Sequence, residues 1–573
     1  MNVSRAILTL LRDYGVTDVF GLPGETTLAL YREWESFEGI AYHMSRDERS
    51  CVFMADGYAK ATGKVGVCEG PSVGATHMAP GVTEAYKACL PLIVMTSDVP
   101  LSAEKKNMLT GFDQTALFQG ICKESLTAHD PCEVPHLLRR AFRVATTGRP
   151  GPVHLRLPSD VLEGDVDDAE VWSQPRFGTF PSIPFRPGDD DIALAAERLR
   201  GARRPVMVCG QGALHSGAWK EVRALAERLA MPVGTTINGK GIFPETHPLS
   251  IGVIGARGGR CWSNAFVCDA DVVLFVGSST DSAGTAGWKI PSPRSNQAFI
   301  QIDAGGEELG NNYDALPLYG DAGLTLAALT EALHDVVPER GSWLEAIEAG
   351  WDDQARRTKT FLADRGEEAC SLAVVEALKR TVAEGAFYAV DPGLCAVYSA
   401  AFLRLEEAGR RMAYNFAMGA LGYAIPAAIG ARFGVDPSRP VVALVGDGSF
   451  GFAAGELETA ARLGTKILFV VFDNSTFGWI RGTEFVHRSE KLEGSFGRFT
   501  DFRPVDYVKV AEGFGLEAHR VTRASELDDT LSRCLRAQGP CLVAVSVEAE
   551  DGLLPPVPGW ADCAAGQGMD NLY

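Results

Sequence analysis

Short apolar runs alternate with longer amphipathic stretches along this chain, a pattern that restricts it to parallel α/β domains. Strands of a buried parallel sheet read as continuous apolar runs, because helices cover both faces of the sheet. PVMVCG, MPVGTT, DADVVLFVG and NQAFIQID read as such strands, with Ser216 to Leu229 as the helix between the first two. Two stretches break the alternation. One, from Glu163 to Asp190, is rich in Pro, Asp and Phe; the other, from Val336 to Glu368, is charged and helical in composition. Both read as inter-domain connections. A length of 573 residues suggests about three domains. The breaks place them at 1–165, 188–336 and 368–550, each expected as a doubly wound parallel sheet, with a Pro-rich tail at 551–573. That tail is either a flexible end or an ordered arm over a neighbouring domain.

Charge narrows the function classes. The net charge is −19. A surface that acidic argues against nucleic acid or an anionic membrane as partner, since phosphate needs an excess of Lys and Arg. It leaves room for an anionic small molecule, which needs only a local positive site. The 13 cysteines form no C-x-x-C pair and no regular framework, so they read as thiols in a reducing compartment, taken as the cytoplasm. Ala6, Ile7, Leu10 and Leu11 form an apolar stripe at helical spacing, broken by Arg12 and Asp13; this reads as a first helix and not as a signal peptide. No apolar run approaches the roughly 18–20 residues of a membrane span.

The third block carries the chemistry. Pro440 to Val445 reads as a strand that ends in a Gly446–Asp447–Gly448–Ser449 turn, followed by a helix over Ala453 to Leu463. Asp447 is thus expected at the C-terminal end of a parallel strand, where open α/β sheets bind ligands. Glycines there let backbone approach a phosphate, and amides near a helix start favour anions. A second strand, Ile467 to Phe472, ends at Asp473–Asn474, so Asp447 and Asn474 close two strands 27 positions apart. A carboxylate, an amide oxygen and a nearby carbonyl form a hard-oxygen set suited to Mg²⁺, with diphosphate oxygens and water completing the shell. Each residue alone is ordinary turn chemistry; the spacing joins them.

This constellation resembles the cofactor motif of thiamine-diphosphate (ThDP) enzymes of the acetolactate synthase / pyruvate decarboxylase-like family. The family motif usually ends in two asparagines; here the first is Asp473. The resemblance implies Mg²⁺ on Asp447, Asn474 and the main-chain oxygen of Thr476. It sets Gly446, Gly448, Ser449, Phe477 and Gly478 along the cofactor, and Gly393 and Leu394, beside the DPG at Asp391, at the diphosphate. GALGYAIPAAIGA resembles a further family segment, with the Gly419 carbonyl facing the aminopyrimidine and Leu421 as the residue that bends the cofactor. In the first block, SRDE followed by FMADGYAKATGKVGV places Glu48 at the activating glutamate, whose carboxyl protonates the pyrimidine ring. The usual His is Asp47. Read from residues alone, Asp47–Glu48 is an exposed charged turn that opens a helix. GLPGE and GPSVGATHMAPGVTEAY resemble two active-site loops, with Glu25 where synthases have Gly and His77 at an Asn position. The resemblance spans essentially the whole chain. It implies a homodimer at minimum, with homotetramers expected, and sites that take Glu48 and Asp447 from different subunits.

Family members decarboxylate a 2-oxo acid and hand the acyl carbanion to an acceptor. The first reading is a ThDP- and Mg²⁺-dependent, acetolactate synthase-like carboligase using a pyruvate-like 2-oxo acid and a carbonyl acceptor. The F-Q-E segment of true synthases is absent, while Asp113, Gln114, Phe118 and Lys123 look familiar. Glu25, His77 and Gln114 join Glu48 as catalytic candidates. For Glu25 the plain alternative is a charge favoured by a helix N-terminus; for His77 it is a buried, hydrogen-bonded imidazole. Trp479 and Ile480 suggest an apolar substrate wall, or ordinary packing. Two alternatives stand: a non-ligating decarboxylase or C–C lyase, and a catalytically silent homologue. FAD is possible in the middle block, where GQGALHSG is the one weak signal.

Overall fold

The computed structural model describes residues 1–338, 341–488, 497–548 and 555–561. Three six-stranded sheets organise them, and every paired neighbour is parallel. The first holds β1 (Asp18–Gly21), β2 (Ala41–Met44), β3 (Gly66–Gly70), β4 (Leu92–Asp98), β5 (Glu124–Thr127) and β6 (Val153–Pro158), in the order β2-β1-β3-β4-β6-β5. The second holds β7 (Pro205–Cys209), β8 (Val233–Thr235), β9 (Ser250–Val253), β10 (Val272–Val276), β11 (Ala298–Asp303) and β12 (Ala315–Tyr319), in the order β12-β11-β10-β7-β8-β9. The third holds β13 (Phe387–Val390), β14 (Met412–Tyr414), β15 (Val441–Gly446), β16 (Leu468–Asp473), β17 (Glu517–Val521) and β18 (Cys541–Ser546), in the order β14-β13-β15-β16-β18-β17. The first and third sheets share one topology, a kinship that no sequence repeat betrays. The second has the 3-2-1-4-5-6 order of dinucleotide-binding sheets.

The chain divides into two compact units: 1–183 with 417–441 and 453–467, and 184–416 with 442–452 and 468–573. In the second unit, successive residues of β10 feed opposite cores. Val272, Leu274 and Val276 join Leu225 and Leu326 on one face; Val273 and Phe275 join Phe266 and Phe299 on the other. This is the packing a continuous apolar strand requires, and each fully buried side chain of this size contributes about 1.5–3 kcal/mol. In the first unit, the helix Val3–Asp13 is capped by Asn2, and Ala6, Ile7, Leu10 and Leu11 are all buried in the first-sheet core, as their stripe predicts. Among the described residues, no helix is long and apolar enough to cross a membrane.

The first unit also contains the helix Ala424–Gly434, which crosses the helix Glu48–Thr62 with backbones touching. A Cβ on Gly57 would overlap the Ala427 carbonyl, and one on Gly430 would overlap that of Met54. Glycine on both helices permits the crossing. Inside it, Tyr423 donates to Asp56, and Lys60 pairs with the same carboxylate at 2.9 Å while donating to the Tyr423 hydroxyl at 3.1 Å.

Two sequence readings change, and one left open is narrowed. The expected Gly446–Ser449 turn is helical from its second residue: the helix Asp447–Ala453 starts directly at the strand end, and a second, Glu456–Arg462, follows. The Gly-rich stretch GQGALHSG passes from Gly210 directly into the helix Gln211–Ser216, with Trp219–Leu229 as the next, in place of the single helix expected over Ser216 to Leu229. Apart from 555–561, the tail expected at 551–573 lies outside the described residues; that described piece is an ordered arm, with Pro556 accepting from the Gly258 amide at 3.0 Å and the Trp560 ring packed at a tilt against Trp479.

Candidate active site

At the C-terminal edge of the third sheet, β13 and β15 are neighbours across the point where strand order reverses, the usual ligand crevice of such sheets. The Asp391 amide donates to the Leu444 carbonyl at 3.0 Å, and the chain turns at Gly393, whose φ of +121° suits glycine, into the helix Leu394–Phe402. Asp447 begins the next helix along this edge and is 5% exposed. Its Oδ1 accepts from Gly448 at 2.7 Å, and its Oδ2 accepts from the amides of Asn474 at 3.0 Å and Ser475. One carboxylate therefore ties the end of β15 to the end of β16. Asn474 Oδ1 accepts from the Thr476 amide, the Thr476 carbonyl accepts from Gly478 at 2.8 Å, and Ser475 takes a left-handed φ of +55°. Leu394 and Asn474 both pack within contact distance of Gly478. Gly393, Leu394, Gly446, Asp447, Gly448, Ser449, Asn474, Thr476, Phe477 and Gly478 thus share one sheet edge. Trp479 lies between Trp560, at 5.0 Å, and the Arg257 guanidinium, at 4.2 Å, while Ile480 is exposed.

In the first unit, Asp47 caps the helix Glu48–Thr62 by accepting from the Arg49 amide at 2.7 Å. The charged pair does open a helix, yet its two members part: Asp47 is partly exposed and Glu48 is buried. A Cβ on Gly74 would lie 2.7 Å from the Glu48 side chain, so glycine there makes room for the carboxyl. His77 Nδ1 lies 3.0 Å from Glu48 Oε2, and its ring is largely exposed rather than buried. Glu25 is exposed at the start of a short 3-10 turn, Glu25–Thr27. Gln114 is fully buried, its amide bonded to Thr96, Ser72 and the Ser97 carbonyl. From that position it ties the Ser72 loop to the strand Leu92–Asp98. Lys123 donates to the carbonyls of Val144, Thr147 and Arg149, a structural duty.

Comparison with known proteins gives this geometry its context. The models of the N-terminal, central and C-terminal domains of thiamine pyrophosphate enzymes match residues 1–117, 192–329 and 391–545. The chain is 31% identical to a probable acetolactate synthase large subunit of Methanocaldococcus jannaschii, over 97% of this chain and 94% of that one. The chain belongs to the thiamine pyrophosphate enzyme family. It is also 29% identical to the acetolactate synthase isozyme 3 large subunit of Escherichia coli, across 100% of this chain and 98% of that one. Against a probable 2-ketoarginine decarboxylase of Pseudomonas aeruginosa it is 34% identical, over 84% of this chain and 83% of that one.

The residues fit a thiamine diphosphate enzyme. Burial pushes the Asp447 carboxyl up to about 7, with Asp473 adding to the shift and the amides of Gly448, Ser475 and Asn474 opposing it. The donors around it are hard oxygens. A Cβ on Gly448 would collide with the Phe477 ring, so glycine keeps that wall of the crevice close.

Sequence reasoning missed Glu84. It is fully buried, and its carboxylate accepts from the successive amides of Ala417 (3.2 Å), Met418 (2.7 Å) and Gly419 (3.2 Å). Burial raises its carboxyl, while Lys60 and the amides oppose the rise. Glu84 holds the loop that carries Gly419 and Leu421. The available signal was a carboxylate on the apolar stripe Met78, Gly81, Ala85 of the helix Gly74–Lys87.

Proposed function

We propose that the chain is a ThDP- and Mg²⁺-dependent carboligase that decarboxylates a pyruvate-like 2-oxo acid and joins the remaining acyl unit to a carbonyl acceptor. The observation that carries the reading is the Asp447 carboxylate, buried and bridging the ends of β15 and β16 beside Asn474. Asp447, Asn474 and the Thr476 carbonyl would hold the metal. Gly393, Leu394, Gly446, Gly448, Ser449, Phe477 and Gly478 would line the diphosphate. When bound, thiamine diphosphate supplies a nucleophilic carbon and a sink for the electron pair released with CO₂.

The remaining work belongs to side chains. Glu48, dry beside Gly74, donates and retrieves a proton at the pyrimidine ring; His77 sets the orientation of its carboxyl. Glu84 presents the backbone at Gly419 and Leu421. Glu25 moves protons to and from the reacting carbon, and Trp479 and Ile480 bound the substrate. The domains are 1–165, 188–336 and 368–550, the assembly is a homodimer at minimum and a tetramer by family likeness, and the compartment is cytoplasmic. FAD has only the strand order of the second sheet behind it, and a fold does not place a ligand.

A second reading, decarboxylation without ligation, is favoured by the decarboxylase relative and by the acid at Glu25. One experiment separates the two. The full chain is incubated with ThDP, Mg²⁺ and a panel of 2-oxo acids, with and without an aldehyde or second 2-oxo acid, and CO₂ and products are followed by mass. Ligated products support the carboligase; free aldehyde alone supports the second reading; no CO₂ from any donor would sink both.

A further inference from the structure

Among the described residues, two groups of three metal-capable side chains converge. Asp47, Glu48 and His77 belong to the active site. The other group, His519, Cys534 and Cys541, has no part in it. β17 and β18 are parallel neighbours at one end of the third sheet, and their register sets Glu517 against Cys541 and His519 against Val543. Directly paired residues of a parallel ladder share a face, as do residues two apart, so Glu517, His519 and Cys541 point to the same side. The helix Leu527–Arg536 packs its buried residues Leu527, Leu531 and Cys534 into the core that Cys541 and Val543 join on that side. The two Sγ atoms and one ring nitrogen of His519 all lie within 4.8 Å of one another. Both thiols are buried, His519 is partly exposed, and His519 Nε2 lies 2.8 Å from Glu517 Oε1.

We propose that Cys534, Cys541 and His519 form a binding site for a thiophilic divalent cation, with Zn²⁺ as its type, and that Glu517 orients the imidazole. Two thiolates and an imidazole are the soft and borderline ligands that select such an ion. Bonds of about 2.3 Å to sulfur and 2.0 Å to nitrogen put tetrahedral ligands roughly 3.3–3.8 Å apart, so small side-chain rotations close the cluster. A carboxylate on one ring nitrogen is the usual support of a metal-bound histidine and leaves Nδ1 to the ion. Water supplies the fourth ligand from the exposed side. Binding displaces one proton from each thiol.

The site is structural. It joins two strands and the helix covering them, and it lies at the opposite sheet edge from Asp447: Cys541 pairs with Leu468 at the start of β16, whereas Asn474 follows the end of that strand. Six residues of strand separate the edges, about 20 Å. The donor sets also differ, oxygen at one edge and sulfur with nitrogen at the other, so Mg²⁺ does not compete.

The test uses Co²⁺ as probe on the full-length chain, reduced, stripped of metal and saturated with Mg²⁺. One Co²⁺ per chain is expected to give thiolate-to-cobalt charge transfer in the near ultraviolet and the intense visible bands of a tetrahedral site, both erased by Zn²⁺. Cys541→Ser and Cys534→Ser remove the charge transfer, and Asp447→Ala keeps it. Glu517→Gln weakens binding by about 10- to 100-fold. His519→Ala, at a partly exposed position that the fold tolerates, weakens it at least about tenfold and keeps the test decisive if the buried serines misfold. A chain that shows no charge transfer, or an unreduced chain whose peptides carry Cys534 joined to Cys541 as a disulfide, overturns the proposal.

Discussion

Glu48 and Asp447 are both carboxyls withdrawn from water, each enclosed by different neighbours. Glu48 meets one exposed imidazole, and Asp447 accepts from the amides of Gly448, Asn474 and Ser475. Glu48→Gln keeps the shape and loses the proton, so turnover should fall by about 10²–10⁴-fold with the circular dichroism melt unchanged; near-normal turnover would remove Glu48 from its role. Asp447→Ala should abolish Mg²⁺-dependent retention of ThDP in equilibrium dialysis, and unchanged retention would refute the metal assignment. Glu69 offers a pH test. It is fully buried, accepts from Tyr31 and from Tyr42 at 2.8 Å, and burial lifts its carboxyl to about 7. The folded chain therefore holds this proton more tightly than the unfolded chain does. Stability on this account is complete below the ordinary carboxyl range and declines as pH rises through about 7. Glu69→Gln should be relatively more stable at pH 8 than at pH 5, by a margin that approaches about 3 kcal/mol. A pH-independent difference in urea midpoints would contradict this.

At the scale of elements, the crossing of Glu48–Thr62 with Ala424–Gly434 is held by glycine on both sides, and the loop that precedes the second helix hangs on Glu84. Gly57→Ala or Gly430→Ala drives a methyl into a carbonyl of the facing helix, an overpacking cost of at least about 1–3 kcal/mol, read as a lower urea midpoint. Glu84→Ala leaves amides of Ala417, Met418 and Gly419 without their acceptor, at about 1–3 kcal/mol. ThDP affinity should drop with it, while Glu84→Gln, which keeps one acceptor oxygen, should recover part of both. Loss of stability with full ThDP affinity would show that Glu84 serves the fold alone.

At the scale of the molecule, the first and third sheets repeat one topology, and each carries a buried carboxyl at its C-terminal strand ends or in the loops beyond them. In the first sheet, Glu48 opens the helix after β2; in the third, Asp447 opens the helix after β15. The two compact units have separate cores. Urea unfolding should therefore depart from two-state behaviour, with tryptophan fluorescence and circular dichroism giving non-coincident transitions. A single coincident transition would show that the units unfold together.

The sequence by itself determined the three parallel sheets, because buried parallel strands must be apolar on both faces and their runs are visible in the chain. It also marked Asp447 and Asn474, because residues closing neighbouring strands share a sheet edge however the helix between them packs. It set Glu48 in a charged turn, and only family likeness lifted it out. The tertiary structure decided the rest, since burial and partnership arise between segments distant in sequence. Asp47 and Glu48 are adjacent acids, yet one caps a helix in water and the other is enclosed by Gly74. Gln114 is fully buried and bonded to Thr96, Ser72 and the Ser97 carbonyl, a set of partners that its local sequence does not announce. Glu84 shows in the sequence only as a carboxylate on an apolar stripe, and the convergence of Cys534, Cys541 and His519 not at all, because their partners lie on other strands, loops and helices.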